Sequence, residues 1–137
     1  MSAGRRKLLG GAAAALIPAA GIPAAASPDA ALIAECVRAI EAHRQCEASY
    51  CYPRHFTAKE AKPYEDRADQ FADLAYAHAE TALDLQAITL AGIAAKACAA
   101  RALAAKRADG SLITNGTPDN LAWSALEDLL RLAGRRT

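Results

Sequence analysis

Residues 117–134 read TPDNLAWSALEDLLRLAG and hold the strongest helical pattern of the chain. Thr117 and Pro118 are typical of a helix start, since threonine caps free N–H groups and proline suits the first helical position. The apolar residues of this segment sweep a broad arc: Leu121, Ala122, Trp123, Ala125, Leu126, Leu129, Leu130, Leu132 and Ala133. Such an arc predicts a helix over 118–133 with two buried sides, one in the core and one against a neighbouring helix or a partner.

Two expectations concern side chains of this fourth helix. Glu127 and Arg131 stand four positions apart, a spacing that predicts an ion pair on the helix surface. Leu126 and Leu129 lie within the apolar arc, so they are expected to be core residues. An aspartate at either position is then expected to cost several kcal/mol by burying an unpaired charge.

The preceding sequence predicts three more helices, near 28–48, 63–82 and 90–107. The first has a start signal at Ser27 and an apolar stripe. Thr57 and Glu60 match a capping box, but Pro63 is expected to interrupt the backbone hydrogen bonds of a helix that starts there. The second helix is therefore predicted to begin at Pro63. The sequence therefore predicts an all-α fold, a small bundle of about four helices.

The third helix is predicted to begin after Thr89, whose hydroxyl can cap it. Leu90 and Ile93 are expected on its apolar side, and Lys96 on a polar side together with Lys106 and Arg107. His78, on the apolar face of the second helix, is expected to be a hydrogen-bonded core or interface histidine. Aromatic residues gather around the first loop and are expected to cover one end of the bundle: Tyr50, Tyr52, Phe56 and Tyr64.

Length and composition allow one domain and exclude several classes. The chain has 137 residues, 38 of them alanine, and a net charge of +1. These values exclude a collagen, a charged disordered tail and a strongly basic nucleic-acid binder. Leu, Ile, Val and Phe make up 20 of the 111 residues after position 26, which is low for a globular domain. A core this thin often needs a disulfide, a metal or a second subunit.

The N-terminal segment has the organisation of an export signal. Arg5-Arg6-Lys7 precede an uncharged, Ala- and Gly-rich stretch, and Ala24 and Ala26 provide the small residues of a cleavage site before Ser27. Pro18 and Pro23 interrupt the stretch, which argues against a stable membrane span. We therefore divide the chain into a signal peptide, 1–26, and a single helical domain, 27–137.

The segment GRRKLLG at positions 4–10 resembles the twin-arginine export motif, in which the receptor reads the arginine pair. The resemblance implies that Arg5 and Arg6 are the signal residues, that the Tat translocase is a partner during export, and that the product is periplasmic or secreted. An ordinary Sec signal is the alternative.

Four cysteines raise the question of disulfides, which form in an oxidising compartment. Cys36 and Cys46 lie ten positions apart on one predicted helix, about 15 Å at 1.5 Å per residue, so they are too far apart to pair. The favoured pattern is Cys46 with Cys51 and Cys36 with Cys98. Four unpaired cysteines, serving as small core or surface residues, are an equal alternative.

A third interpretation of the cysteines is a zinc site. His43, Cys46, Cys51 and His55 provide two thiolates and two imidazoles, a known tetrahedral ligand set. Their spacing is not that of a standard zinc finger. Zinc is therefore the one cofactor that the sequence suggests, and only weakly.

The body of the chain resembles small uncharacterised proteobacterial proteins that carry a twin-arginine signal and an all-helical domain. The likeness rests on PDAALI at 28–33, which opens the first helix, and on TLAGIAAKA at 89–97, which opens the third. The resemblance implies the helical fold and export, and it brings no activity with it.

Two function classes follow from these observations. The first is a small exported helical protein that acts by association with itself or with another protein. The second is a periplasmic metal-binding or redox module that uses the Cys/His cluster. An enzyme is the least favoured class, because no pair of nucleophile and base is visible, and no catalytic residue is assigned.

Overall fold

The computed structural model describes residues 27–105, 109–111 and 116–134, so the predictions for the signal segment 1–26 lie outside the described residues. Four helices follow one another along the chain: α1 (Ala30–Ser49), α2 (Ala58–Asp84), α3 (Leu90–Leu103) and α4 (Thr117–Gly134). Within these ranges there is no strand, and the predicted all-α bundle of four helices is confirmed. No described helix combines the length and hydropathy that crossing a bilayer requires.

α1 and α2 form an antiparallel hairpin. Glu35 meets His78 at one end of the pair, and Tyr52 meets Glu65 at the other. The buried side chains of α2 are all alanines, most of them seven positions apart: Ala61, Ala68, Ala75, Ala79 and Ala82. Because a methyl group is short, two helices can approach closely along such a seam. Each alanine contributes only about 0.8 kcal/mol of burial, so this hairpin depends on fit more than on apolar volume.

The predicted start of the second helix at Pro63 is wrong. Thr57 and Glu60 form the complete capping box, in which the Thr57 N–H donates to Glu60 Oε2 over 2.8 Å and Glu60 N donates to Thr57 Oγ1 over 3.4 Å. The helix then runs through Pro63 without a break. Proline removes one backbone hydrogen bond, that to the carbonyl of Lys59, and Lys59 is exposed, so water can replace the missing donor.

The other predicted helix limits need smaller corrections. α1 begins at Ala30, although the Ser27 hydroxyl does accept from Asp29 N over 3.2 Å. α3 ends at Leu103 rather than at position 107, because Ala104 adopts an extended conformation. α4 begins at Thr117, with Asn120 N donating to the carbonyl of Gly116.

The core takes side chains from all four helices. α1 packs against both α2 and α3, and α3 packs against α4. The largest fully buried apolar side chains are Leu32 of α1 and Leu121 of α4. They are surrounded by small residues, which include Cys36, Ala39, Ala79, Ala82, Ala87, Ala99 and Ala100. The expected thin, alanine-rich core is therefore what the described residues contain.

Candidate functional site

All four cysteines are free thiols, which corrects the two expected disulfides. Cys36 and Cys46 are buried on α1, while Cys51 and Cys98 are exposed. Each expected pair therefore joins an inward side chain to an outward one, and no two cysteines lie at disulfide distance. Cys51 Sγ instead lies 3.7 Å from the carbonyl oxygen of Glu47. Burial raises the pKa of the Cys36 thiol to about 11, so this buried cysteine is an unreactive thiol at neutral pH.

The structure does not bring the four candidate zinc ligands together. His43 Nε2 faces Glu47 Oε1 at 3.6 Å, and His55 packs edge-on against the ring of Phe56. Cys46 points into the α1–α2 seam, while Cys51 is exposed beyond the end of α1. Within the described ranges, no group of three or more His, Cys, Asp or Glu side chains is placed to hold a metal ion.

The aromatic residues of the first loop cover one end of the hairpin, as expected. The rings of Tyr52 and Tyr64 lie 5.5 Å apart, and Phe56 contacts both. Tyr50 is exposed and lies outside this stack. The cluster therefore closes the end of the α1–α2 hairpin opposite Glu35.

His78 is the hydrogen-bonded interface histidine that the sequence predicts. Its Nδ1 lies 2.7 Å from Glu35 Oε2, which joins α2 to α1. The hydrogen bond to His78 lowers the pKa of Glu35, and the guanidinium of Arg38 adds to this effect against the opposing effect of burial. Both oxygens of this carboxylate are thus occupied, so the pair is a structural link.

Lys96 is buried, which corrects its expected position on a polar helix side. Only 1 % of the residue is exposed. Its Nζ donates to Asp128 Oδ2 and to Ser124 Oγ, each over 2.8 Å. Asp128 Oδ2 also accepts from Ala87 N over 2.9 Å. Burial alone would raise the pKa of Asp128, but the hydrogen bonds from Lys96, Ala87 and Arg131 together lower it, so the carboxylate stays ionised.

Arg131 completes this network, which corrects its expected ion pair with Glu127. Its terminal nitrogen Nη2 donates to Asp128 Oδ1 over 2.6 Å and to the carbonyl oxygen of Ala87 over 2.8 Å. Arg131 Nε is buried without a hydrogen-bond partner among the described atoms. The network binds α4 to α3 and to the turn before α3, so α4 is held firmly in one orientation.

The Asp29 carboxylate links the starts of two helices, a role that the sequence did not reveal. Its carboxylate accepts from Ile88 N, Thr89 N and the Thr89 hydroxyl at 2.6 to 3.2 Å, so the start of α1 is joined to the start of α3. The Thr89 hydroxyl in turn accepts from Gly92 N, which confirms the predicted cap. A Cβ at Gly92 would clash with the Asp29 carboxylate and lie 3.1 Å from the Cβ of Ala87, so any other residue there would displace the Asp29 side chain.

The outer face of α4 is apolar and exposed. The exposed fractions are 60 % for Trp123, 63 % for Leu130, 41 % for Leu126 and 42 % for Leu129. These four residues form what we call the α4 stripe. The opposite face of the same helix is buried and holds Leu121, Ala125 and Asp128. The predicted two apolar sides of α4 are therefore present, but the described residues cover only one of them.

The α4 stripe corrects the expectation that Leu126 and Leu129 are core residues. The buried positions of α4 lie three or four residues apart, at Leu121, Ala125 and Asp128, and the stripe lies outside that set. Asp128 could not be recognised as buried from the sequence, because its partner Lys96 lies 32 positions away. An apolar arc wider than one helix face was the signal that pointed to the stripe.

The α4 stripe is the candidate functional site. Separate comparisons with protein-family models, with curated proteins and with solved structures found no match to this chain.

Proposed function

We propose that this chain is exported and acts by association with another protein chain, which it contacts through the α4 stripe. The observation that supports this proposal is an indole and three leucine side chains exposed side by side on a helix whose inner face is fixed in the core. Scattered exposed leucines are normal on protein surfaces, but a contiguous apolar patch marks an interaction site.

The rigidity of α4 supports the same proposal. Lys96 and Arg131 both donate to Asp128, and Arg131 also holds the carbonyl of Ala87. α4 is therefore fixed relative to α3, and the stripe is presented in one arrangement. A surface fixed before binding loses less conformational entropy on association than a mobile one.

The composition of the stripe is that of an interface core. Tryptophan is enriched among residues that contribute most to binding energy, and charged residues are depleted at the centres of interfaces. Charged side chains of α4 lie beside the stripe, with Glu127 exposed next to it and Arg131 on the side facing Ala87. An apolar centre with a polar border is the usual arrangement of a protein–protein contact.

Site-specific photo-crosslinking in cells tests this function. A photoreactive phenylalanine analogue replaces Leu126 in the stripe, and in a matched control it replaces Leu74, an exposed leucine of α2. We expect a discrete cross-linked protein product from position 126 and none from position 74. The absence of any protein cross-link at position 126 would contradict the proposal.

Export is the second part of the proposal, and the twin-arginine pattern at Arg5 and Arg6 with the Ala-x-Ala site at 24–26 supports it. The protein would then pass through the Tat translocase and act in the periplasm or outside the cell. Intact-mass analysis of periplasmic protein is expected to give an N-terminus at Ser27, and replacing both arginines by lysine is expected to abolish export. Full-length protein in the cytosol alone would contradict export, and continued export of the lysine variant would indicate the Sec route.

The metal or redox module, the other function class from the sequence, gains no support from the described geometry. Among the described residues its thiol and imidazole groups form no cluster that could hold a metal, and two of the four cysteines are buried. Association is therefore the function that the geometry favours.

A further inference from the structure

We infer that the chain that covers the α4 stripe is a second copy of this protein, with the two α4 helices antiparallel across a twofold axis near Leu126. This inference rests on the proposed function, because it names the partner of the same surface.

Little of the chain itself is available to cover the stripe. After removal of residues 1–26, the segments outside the described ranges are 106–108, 112–115 and 135–137, ten residues in all. Their only large apolar side chains are Leu112 and Ile113. Two such residues are too few to cover a tryptophan and three leucines, so a second copy is the better source of the covering surface.

The spacing of the large side chains in the α4 stripe allows it to pack against a second copy of the same stripe. Trp123 lies three positions before Leu126, and Leu130 lies four positions after it. In an antiparallel pair centred near Leu126, each Trp123 therefore packs against Leu130 of the other copy, and the two Leu126 side chains meet near the axis. A twofold dimer needs this property, because both subunits use the same surface patch.

The charges of α4 favour the antiparallel orientation over the parallel one. Asp119 lies in the first turn of α4, and Arg131 in the last turn already pairs with Asp128. In an antiparallel pair the two helix dipoles point in opposite directions, which is favourable. A parallel pair would place Asp119 beside Asp119 of the other copy.

The size of the stripe sets the strength of the dimer. The exposed parts of one tryptophan and three leucines amount to an area on the order of 400 Å² per chain. A standard interface buries about 800 Å² per partner, and weak reversible contacts bury less. With some flanking surface added, we expect a reversible dimer that dissociates on dilution.

Disulfide trapping tests this arrangement. The exposed Cys51 and Cys98 are first replaced by serine, and single cysteines are then introduced as Leu126→Cys or as Ala122→Cys. Position 126 lies near the proposed axis, whereas in the antiparallel pair the two copies of position 122 lie about 12 Å apart along the helices. Mild oxidation of the purified protein is expected to give a covalent dimer from Leu126→Cys and monomer from Ala122→Cys.

The other outcomes are informative in different ways. Equal trapping at both positions would overturn the antiparallel arrangement, since a parallel pair brings both positions together. No trapping at position 126, combined with a photo-cross-link from that position to a heavier protein, would overturn the second copy and leave the proposed function intact. No trapping and no photo-cross-link at position 126 would overturn both.

Discussion

At the scale of single residues, the buried carboxylate of Asp128 ties α4 to α3 and to the turn before α3. It accepts hydrogen bonds from Lys96, from the backbone of Ala87 and from Arg131. A buried lysine without its carboxylate is an uncompensated charge, and that situation is far more costly than the absence of the whole pair.

We therefore predict that Asp128→Ala lowers the free energy of unfolding by about 3–5 kcal/mol. Asp84→Ala is the matched control, because Asp84 is exposed at the end of α2 and its removal is expected to change stability by less than about 0.5 kcal/mol. Urea unfolding followed by circular dichroism measures both. A loss below about 1 kcal/mol for Asp128→Ala would show that the network is weakly coupled to folding.

Gly92 gives a second prediction at this scale. In a helix interior, Gly→Ala normally stabilises by up to about 1 kcal/mol. At Gly92 the new methyl group would clash with the Asp29 carboxylate, which holds two backbone N–H groups before α3. Gly92→Ala is therefore expected to destabilise by about 1–3 kcal/mol, the cost of unsatisfied buried polar groups.

Two comparisons identify the cause of the Gly92 effect. Gly134→Ala, in the last turn of α4, is expected to be close to neutral, because the added Cβ would lie in open space. In an Asp29→Ala background, Gly92→Ala is expected to lose most of its cost, because the clashing group is gone. A stabilising Gly92→Ala in the native background would contradict the clash.

At the scale of helices, the sequence was most informative where the signals are local. The Thr89 cap and the four-helix order were predictable because capping and apolar periodicity act over a few residues. The prediction that α2 begins at Pro63 was wrong, because the complete capping box at Thr57 and Glu60 outweighs the one hydrogen bond that proline removes. The burial of Lys96 and the exposure of Leu126 depend on contacts between helices, and a single periodicity cannot rank two apolar faces of one helix.

Two substitutions in α4 test which of its faces is buried in the core and which is exposed. Leu121 is fully buried and Leu126 is part of the stripe. Leu121→Asp is expected to lower the free energy of unfolding by more than about 3 kcal/mol, because it buries a charge in place of a core leucine. Leu126→Asp is expected to change the stability of dilute, monomeric protein by less than about 1 kcal/mol. Equal losses from both variants would contradict the described burial of α4.

The α1–α2 contact gives a pH prediction. The pKa of Glu35 is lowered in the folded state, chiefly by the hydrogen bond to His78. The resulting stabilisation is present above the ordinary carboxyl pKa of about 4.5 and is lost as the pH falls through the lowered folded-state value. Glu35→Gln is therefore expected to be less stable than the wild type at pH 6, by about 1 kcal/mol, and this difference is expected to shrink progressively as the pH falls below about 4.5. Urea unfolding at pH 6 and at successively lower pH values measures this, and a difference that does not shrink in acid would contradict the assigned pair.

At the scale of the whole molecule, a thin alanine-rich core and an uncovered apolar stripe belong together. Small bundles with little apolar volume often gain stability from a second subunit. Dimerisation through α4 would add buried apolar surface to a chain whose α2 seam consists of alanines. We therefore predict that folding stability and association are linked, with stability rising as protein concentration increases.

Self-association through the α4 stripe is tested by the solution mass of the purified protein over a range of concentrations, measured by light scattering. We expect the mass to rise from that of one chain to that of two, while the variant Leu126→Glu/Leu130→Lys stays at one chain at every concentration. Leu74→Glu, which changes an exposed leucine of α2, is expected to behave as the wild type. A monomer at all concentrations, or a dimer that the α4 double variant leaves intact, would contradict self-association through the α4 stripe.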